Sequence, residues 1–277
     1  NYCSINNFNN IIKSDIIIIS SPNKTHAYYL NKLHKLGFNN YIFCEKPLCE
    51  NKKDFKELKK FLKKFDKLYV NFNYRHSAIS NIIKKINNPK YGKPIQINFY
   101  NSHGLAFKNE FNSSWRSTND KNFMLFNKAI HIIDLLIFFF DQPKINNYES
   151  ISFAKNKSFN DTLRLSITFK NKLLANIFCS YSTTFLFRFE IICTNSHIIY
   201  DKNKILIYYP RNSFGKNKQF ITPPVNFSKT FSKSFENDSL INSTNYFCNI
   251  VKKNGKFKIK EVESYLKTHK FLLDILN

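Results

Sequence analysis

Between Asp15 and Ser20 the chain reads DIIIIS, four β-branched residues in a row with no polar alternation. Such a run predicts a parallel strand buried on both faces, because a sheet with helices on either side hides both rows of side chains. The next residues agree. Pro22 and Asn23 form a turn, Ala27, Leu30, Leu33 and Leu36 recur at helical spacing, and Gly37 supplies a stop. Tyr41 to Cys44 is a second short apolar run, ending in Glu45, Lys46 and Pro47. Helical periodicity over Lys52 to Phe65 comes next, then a third strand over Leu68 to Phe72 and a helix over Ile79 to Ile86. Strands alternating with helices predict a parallel sheet covered by helices.

After Gly92 and Pro94 the pattern changes. Apolar and polar residues alternate over Ile95 to Phe99, Ile151 to Phe153, Leu163 to Phe169, Leu174 to Tyr181, Phe185 to Cys193 and Ile205 to Tyr209, as in antiparallel strands with one packed face. A helical stretch over Phe123 to Phe140 interrupts them, and Leu240 to Val251 and Val262 to Leu276 close the chain as amphipathic helices. Phe214 to Ser234, with adjacent prolines and many Ser, Lys and Asn, predicts a long loop. The fold class expected is α/β: residues 1–91 as part of a Rossmann-like parallel-sheet domain, then 92–277 as an α+β domain with a large, mostly antiparallel sheet. Its last helix is expected to pack back toward the first domain.

Lys+Arg 43 against Asp+Glu 19 gives a formal charge of +24 over 277 residues, which raises nucleic acid or an anionic membrane as a partner. Yet Asn, Lys, Ile, Phe and Tyr are abundant together while Gly 5, Met 1 and Trp 1 are scarce, the joint drift of an AT-rich coding sequence. The lysines are dispersed and no stacking-aromatic RNA motif is present, so no nucleic-acid partner is expected. Nor is a membrane one. The longest apolar run, Leu135 to Phe140, is far short of the roughly twenty residues a spanning helix needs. Asn1 to Asn10 is polar and unlike a signal peptide. Six cysteines (Cys3, Cys44, Cys49, Cys179, Cys193, Cys248) show neither a CxxC pair nor a Cys/His cluster, which predicts free thiols in a reducing cytoplasm and no metal site.

Parallel sheets bind ligands beyond the carboxyl ends of their strands. The residues there are Ser20, Ser21, Pro22, Asn23 and His26 after the first strand, Glu45, Lys46 and Pro47 after the second, and Asn73, Tyr74 and Arg75 after the third. Each alone has an ordinary explanation as a turn, a helix start or an exposed charge pair. Taken in order, the fragments SSPNKTH, FCEKPL, NYRHS, YGKPIQI, SSWRS and HIIDLL resemble the Gfo/Idh/MocA oxidoreductases, nicotinamide-dependent dehydrogenases of sugars, inositols and nucleotide sugars. The sharpest match is Glu45-Lys46-Pro47, where relatives place their catalytic lysine.

The resemblance implies NAD or NADP as cofactor, Lys46 as the acid/base that exchanges the hydroxyl proton, and His131 as a second catalytic residue. A lysine partly desolvated beside a cationic nicotinamide would have its pKa lowered toward neutrality. Glu45 would face the ribose, and Pro47, often cis in relatives, would aim Lys46. Ser20, Ser21, Pro22, Asn23, His26, Asn73, Arg75, Trp115 and Arg116 would lie along the cofactor. On a regular helix Asn127, His131 and Asp134 fall on one face, so Asn127 and Asp134 are expected to contact substrate. A histidine in an apolar helix is otherwise more often a satisfied core residue.

The chain departs from the family in lacking a GxGxxG loop and in having Lys121, Asn122 and Phe123 in place of a glycine triplet, with Asn127 in place of an aspartate. Asn127 can bond a sugar hydroxyl but cannot act as a base. The absent phosphate loop leads to the expectation of one more βαβαβ opening ahead of Asn1. The function expected is hydride transfer between the nicotinamide and a sugar, inositol or nucleotide-sugar hydroxyl. The alternative is a non-catalytic or truncated relative retained for protein binding. A homo-oligomer formed sheet to sheet is expected from the face of the second sheet that no helix covers.

Overall fold

A computed structural model describes residues 8–86, 88–108, 121–154, 159–209, 214–232 and 234–276. In the first part α1 (Phe8–Ile11), β1 (Ile16–Ile19), α2 (Asn23–Lys35), β2 (Tyr41–Cys44), α3 (Lys52–Leu62), β3 (Leu68–Val70), a 3₁₀ turn (Asn73–His76) and α4 (Ala78–Lys85) succeed one another. β1, β2 and β3 pair in that order, all parallel. The helices start where side chains can cap them: Asn51 accepts from the Asp54 N–H at 2.9 Å for α3, and Ser77 from the Ser80 N–H at 3.2 Å for α4.

β2 is central and buried along its whole length, whereas β1 is an edge. Ile18 is 66% exposed and Ile16 40%, so the expectation that this strand is buried on both faces is corrected. No described element covers those two side chains. Gly92, with φ 79°, then hands the chain to the second sheet; a Cβ there would overlap Thr194 Oγ1 and sit 2.6 Å from the Asn195 nitrogen.

The second part runs β4 (Pro94–Ser102), a π-helical turn (Leu125–Ala129), α5 (Ile130–Phe140), β5 (Lys144–Ile151), β6 (Thr162–Thr168), β7 (Leu174–Ser180), β8 (Leu186–Cys193), β9 (His197–Asp201), β10 (Lys204–Tyr208), β11 (Phe227–Thr230), α6 (Phe235–Lys252) and α7 (Ile259–Ile275). The eight strands lie in the order β11-β10-β9-β8-β4-β7-β6-β5. Neighbours are antiparallel except β4 and β7, which run parallel. Three expectations are corrected here. The long loop contains β11, whose four side chains are all exposed and so carry no apolar period. The strand expected at Ile151 to Phe153 is β5, which ends at Ile151. His197–Asp201, with Ile198 and Tyr200 buried, is a strand that the sequence reading did not assign.

The two parts share their core. Along β2, Tyr41 and Phe43 face one way and cluster with Tyr69, Phe247 and Phe257, while Ile42 and Cys44 face the main core. α7 returns to the loop after β2, where His269 Nε2 accepts from the Leu48 N–H at 2.8 Å and Nδ1–H donates to the Tyr265 carbonyl at 2.7 Å. Both ring nitrogens are thus committed in the neutral form, and burial pushes the His269 pKa down to about 4.

The folded chain therefore binds fewer protons than the unfolded chain between about pH 6.5 and 4, and stability should fall as pH drops through that window. We expect His269 alone to account for a loss on the order of 2–3 kcal/mol. Denaturant titrations across this range should show a shallower pH dependence for His269→Gln. An unchanged slope would exclude the assignment.

Candidate active site

The crevice lies at the carboxyl ends of β1, β2 and β3. Ser20 and Pro22 are exposed on its rim and Ser21 and Asn23 half-buried. Ser21 Oγ contacts Thr25 Oγ1 at 2.6 Å, and Asn23 Nδ2 donates to Glu50 Oε1 at 2.9 Å. Glu45 is half-buried and accepts from Asn71 Nδ2 at 2.7 Å. The Lys46–Pro47 bond is cis. Lys46, half-buried, sends its Nζ across to donate to the Asn127 backbone carbonyl at 2.9 Å.

That carbonyl belongs to the π turn. A π turn's longer repeat shifts the helical phase of the residues after it, and such turns concentrate at functional sites. Asn127 is half-buried, and no hydrogen bond of its carboxamide to a described residue is found. One residue short of a further turn, His131 stacks on Tyr74 with centroids 4.9 Å apart and planes at 25°. Its Nδ1 is buried with no partner among the described residues. Burial, with the Lys46 and Lys128 ammonium groups nearby, holds the His131 pKa well below the ordinary imidazole range, so the ring is neutral at pH 7.

Several residues expected at the cofactor or substrate have protein partners. Asp134 is fully buried, its carboxylate gripped by Arg75 through Nε (2.6 Å) and Nη2 (2.5 Å) and by the Thr268 hydroxyl at 2.9 Å. The Arg75 guanidinium lies 4.5 Å from the Phe138 centroid and 4.6 Å from that of Tyr265. His26 has no exposed surface and places its ring nitrogens 2.7 Å from the Ser21 and Pro47 carbonyls, tying the two rim loops together. Pro47 is buried, and Asn73 donates to Ser239 Oγ of α6 at 2.9 Å while its Oδ1 is buried with no partner among the described residues. Trp115 and Arg116 lie outside the described residues.

Sequence reasoning missed the other side of the site. His103 stacks on Tyr181 at 4.2 Å, and burial together with Lys128 pushes its pKa down to about 4. Lys128 sits 5.8 Å from the Tyr181 centroid and 3.7 Å from Glu236 Oε1. The signal in the sequence is that Lys128 places a positive charge in a largely apolar helical segment, beside Asn127 and His131. The ammonium and the half-buried amide and imidazole suit a hydroxyl-bearing substrate, and the open strand ends suit the nicotinamide end of a dinucleotide. No glycine-rich phosphate loop occurs in the sequence.

Residues 1–72 match the model of an oxidoreductase family with an NAD-binding Rossmann fold, and residues 80–199 match the GFO/IDH/MocA C-terminal domain. The chain belongs to the Gfo/Idh/MocA family. No curated protein matches it. Among solved structures, this family member resembles a levoglucosan dehydrogenase in complex with NADH and levoglucosan, at 16% identity and TM-score 0.77 over 97% of this chain and 80% of that one. It also resembles the dehydrogenase MviM from Clostridium difficile (21%, TM-score 0.72, 100% and 82%) and an oxidoreductase from Thermotoga maritima (18%, 0.75, 98% and 78%). At these identities the likeness establishes the fold. Among the described residues no helix is long and apolar enough to cross a membrane, and no group of three or more His, Cys, Asp or Glu could hold a metal ion.

Because Asp134 neutralises a buried guanidinium, Asp134→Ala should cost about 3–5 kcal/mol in chemical denaturation. Replacing both partners, as Arg75→Met with Asp134→Leu, should recover much of that loss. A raised KM with unchanged stability in Asp134→Ala would instead restore Asp134 to the substrate.

Proposed function

We propose that the protein is a nicotinamide-dependent oxidoreductase acting on a hydroxyl of a sugar, an inositol or a nucleotide sugar, with Lys46 as acid/base and His131 as its partner. The observation that carries this reading is the 2.9 Å bond from Lys46 Nζ to the turn that bears Asn127 and leads to His131. It brings the ammonium of the β2 rim to the helix holding a neutral imidazole. Solved structures of the same fold include complexes with NADH and levoglucosan and with NADH and L-sorbose, which supports a sugar as substrate.

A bound nicotinamide, NAD or NADP, would accept or return the hydride. The chain's own residues handle the proton. Lys46 Nζ, as the neutral amine, takes the hydroxyl proton in oxidation, and as the ammonium returns it in reduction, with the Asn127 carbonyl fixing where the nitrogen stands. His131, held neutral, orients the same hydroxyl, while the Asn127 amide can bond a neighbouring one. Ser20, Ser21, Pro22, Asn23 and Glu45 are assigned to the cofactor side. Residues 1–91 serve the cofactor and 92–277 the substrate and self-association.

The second sheet presents Gln96, Tyr100, Asn176, Phe178 and Glu190, half-exposed around the buried Asn98, on one face opposite the helices, a mixture suited to another copy. Light scattering should give a dimer or larger assembly; a stable monomer would remove that part of the reading.

In the full protein, Lys46→Ala should lower turnover by about 10²–10⁴-fold with the thermal midpoint little changed. Retained turnover would remove Lys46 from the mechanism. Absence of nicotinamide binding, read by fluorescence, would favour a non-catalytic relative.

A further inference from the structure

A cavity of about 810 Å³ lies away from the strand-end crevice, between α4 and the helix-side face of β9, β10 and β11. Its floor is aliphatic: Ile82, Ile198, Ile205 and Ile207 are each less than a tenth exposed. Around it stand Lys84, Lys85, Lys90 and Lys229, and no carboxylate lines it. Lys90 and Lys229 are both exposed, and each ammonium stands beside a ring. Lys90 Nζ lies 4.8 Å from the Tyr91 centroid and Lys229 Nζ 5.3 Å from that of Phe231, both rings belonging to the lining. Tyr209 stacks on Tyr91 at 6.1 Å and 21° and closes one wall.

We propose that this cavity binds a small amphiphile with a hydrocarbon body and one anionic head group, a carboxylate or a phosphate monoester. The volume is that of a small-molecule pocket, and the floor offers methylene-lined surface without the polar groups that would read a base or a sugar. A hydrocarbon body is therefore what gains most from entering it. The missing carboxylates leave the lysines uncompensated, so the head group must be negative; charge-assisted bonds from Lys90 and Lys229 would hold it at the mouth.

Calorimetry on the full protein with dodecanoate, dodecyl phosphate, dodecanol and butyrate, each below its micelle concentration, tests the proposal. Saturable one-site binding is expected for both long-chain anions, with dodecanol weaker by about tenfold or more and butyrate silent. Preference for dodecanoate would identify a free fatty acid as the natural source, and preference for dodecyl phosphate a phosphorylated lipid. The double variant Lys90→Glu/Lys229→Glu should lose about tenfold or more for the anions and keep its dodecanol affinity. Ile207→Trp, which fills the floor, should lose all three; if it fails to fold by circular dichroism, the charge variant decides. Absence of saturable binding by both anions, equal binding of dodecanol, or undiminished anion binding by the charge variant would overturn it.

Discussion

The Arg75–Asp134 pair is the point at which three otherwise separate pieces of the molecule are forced into register. Arg75 comes from the turn after β3, Asp134 from α5, and Thr268, which also donates to Asp134, from α7. Two charges removed from water repay their desolvation only if geometry and remaining hydrogen bonds are good. Here the guanidinium offers two parallel N–H bonds and lies among the rings of Phe72, Phe138 and Tyr265. A sliding or rotating α5 would strand both charges, so the helix has one seat. His131, three residues before Asp134, is fixed with it.

Around that seat the electrostatics depend on a charge the helix lacks. Asn127 provides no negative charge, and the cations Lys46 and Lys128 act on His131 together with burial. The imidazole is thereby held neutral, able to offer or accept one hydrogen bond but not to store a proton near pH 7. In the proposed reaction proton exchange would fall to Lys46, whose ammonium donates to a backbone carbonyl that no side-chain substitution can delete. His26 and His269 brace the loop on which Lys46 stands from two directions, one from α2 and one from α7.

The alternation of strand and helix through Ile86 was legible because buried parallel strands and amphipathic helices have distinct periods. The Glu45-Lys46-Pro47 turn was legible because its residues stand at a strand end. The Arg75 partner of Asp134 was not legible, because spacing places a residue on a face without saying which residue of another element that face meets. The π turn compounds the problem by breaking the 3.6-residue phase between Asn127 and His131. His269 lies 221 positions from the residue it bonds, a contact no local pattern encodes. β11 escaped notice since an exposed edge strand needs no apolar face.

The drift in composition has a backbone consequence as well. The chain has five glycines, and only Gly37 and Gly92 occupy positive φ. Six other positive-φ positions are taken by Asp141, Lys172, Lys202, Asn203, Lys218 and Asn254. Asn and Asp tolerate the left-handed region through local hydrogen bonding, but each lysine there carries the Cβ crowding that costs on the order of 1 kcal/mol. Lys172 and Lys202 sit in the turns between β6 and β7 and between β9 and β10, hairpins whose register the flanking ladders already fix. Where Gly92 stands, by contrast, a side chain would collide with Thr194 and Asn195. Gly92 is thus required for want of room, whereas at Gly37 a side chain would meet nothing within 4 Å, and turns open to water carry lysine at a modest conformational cost.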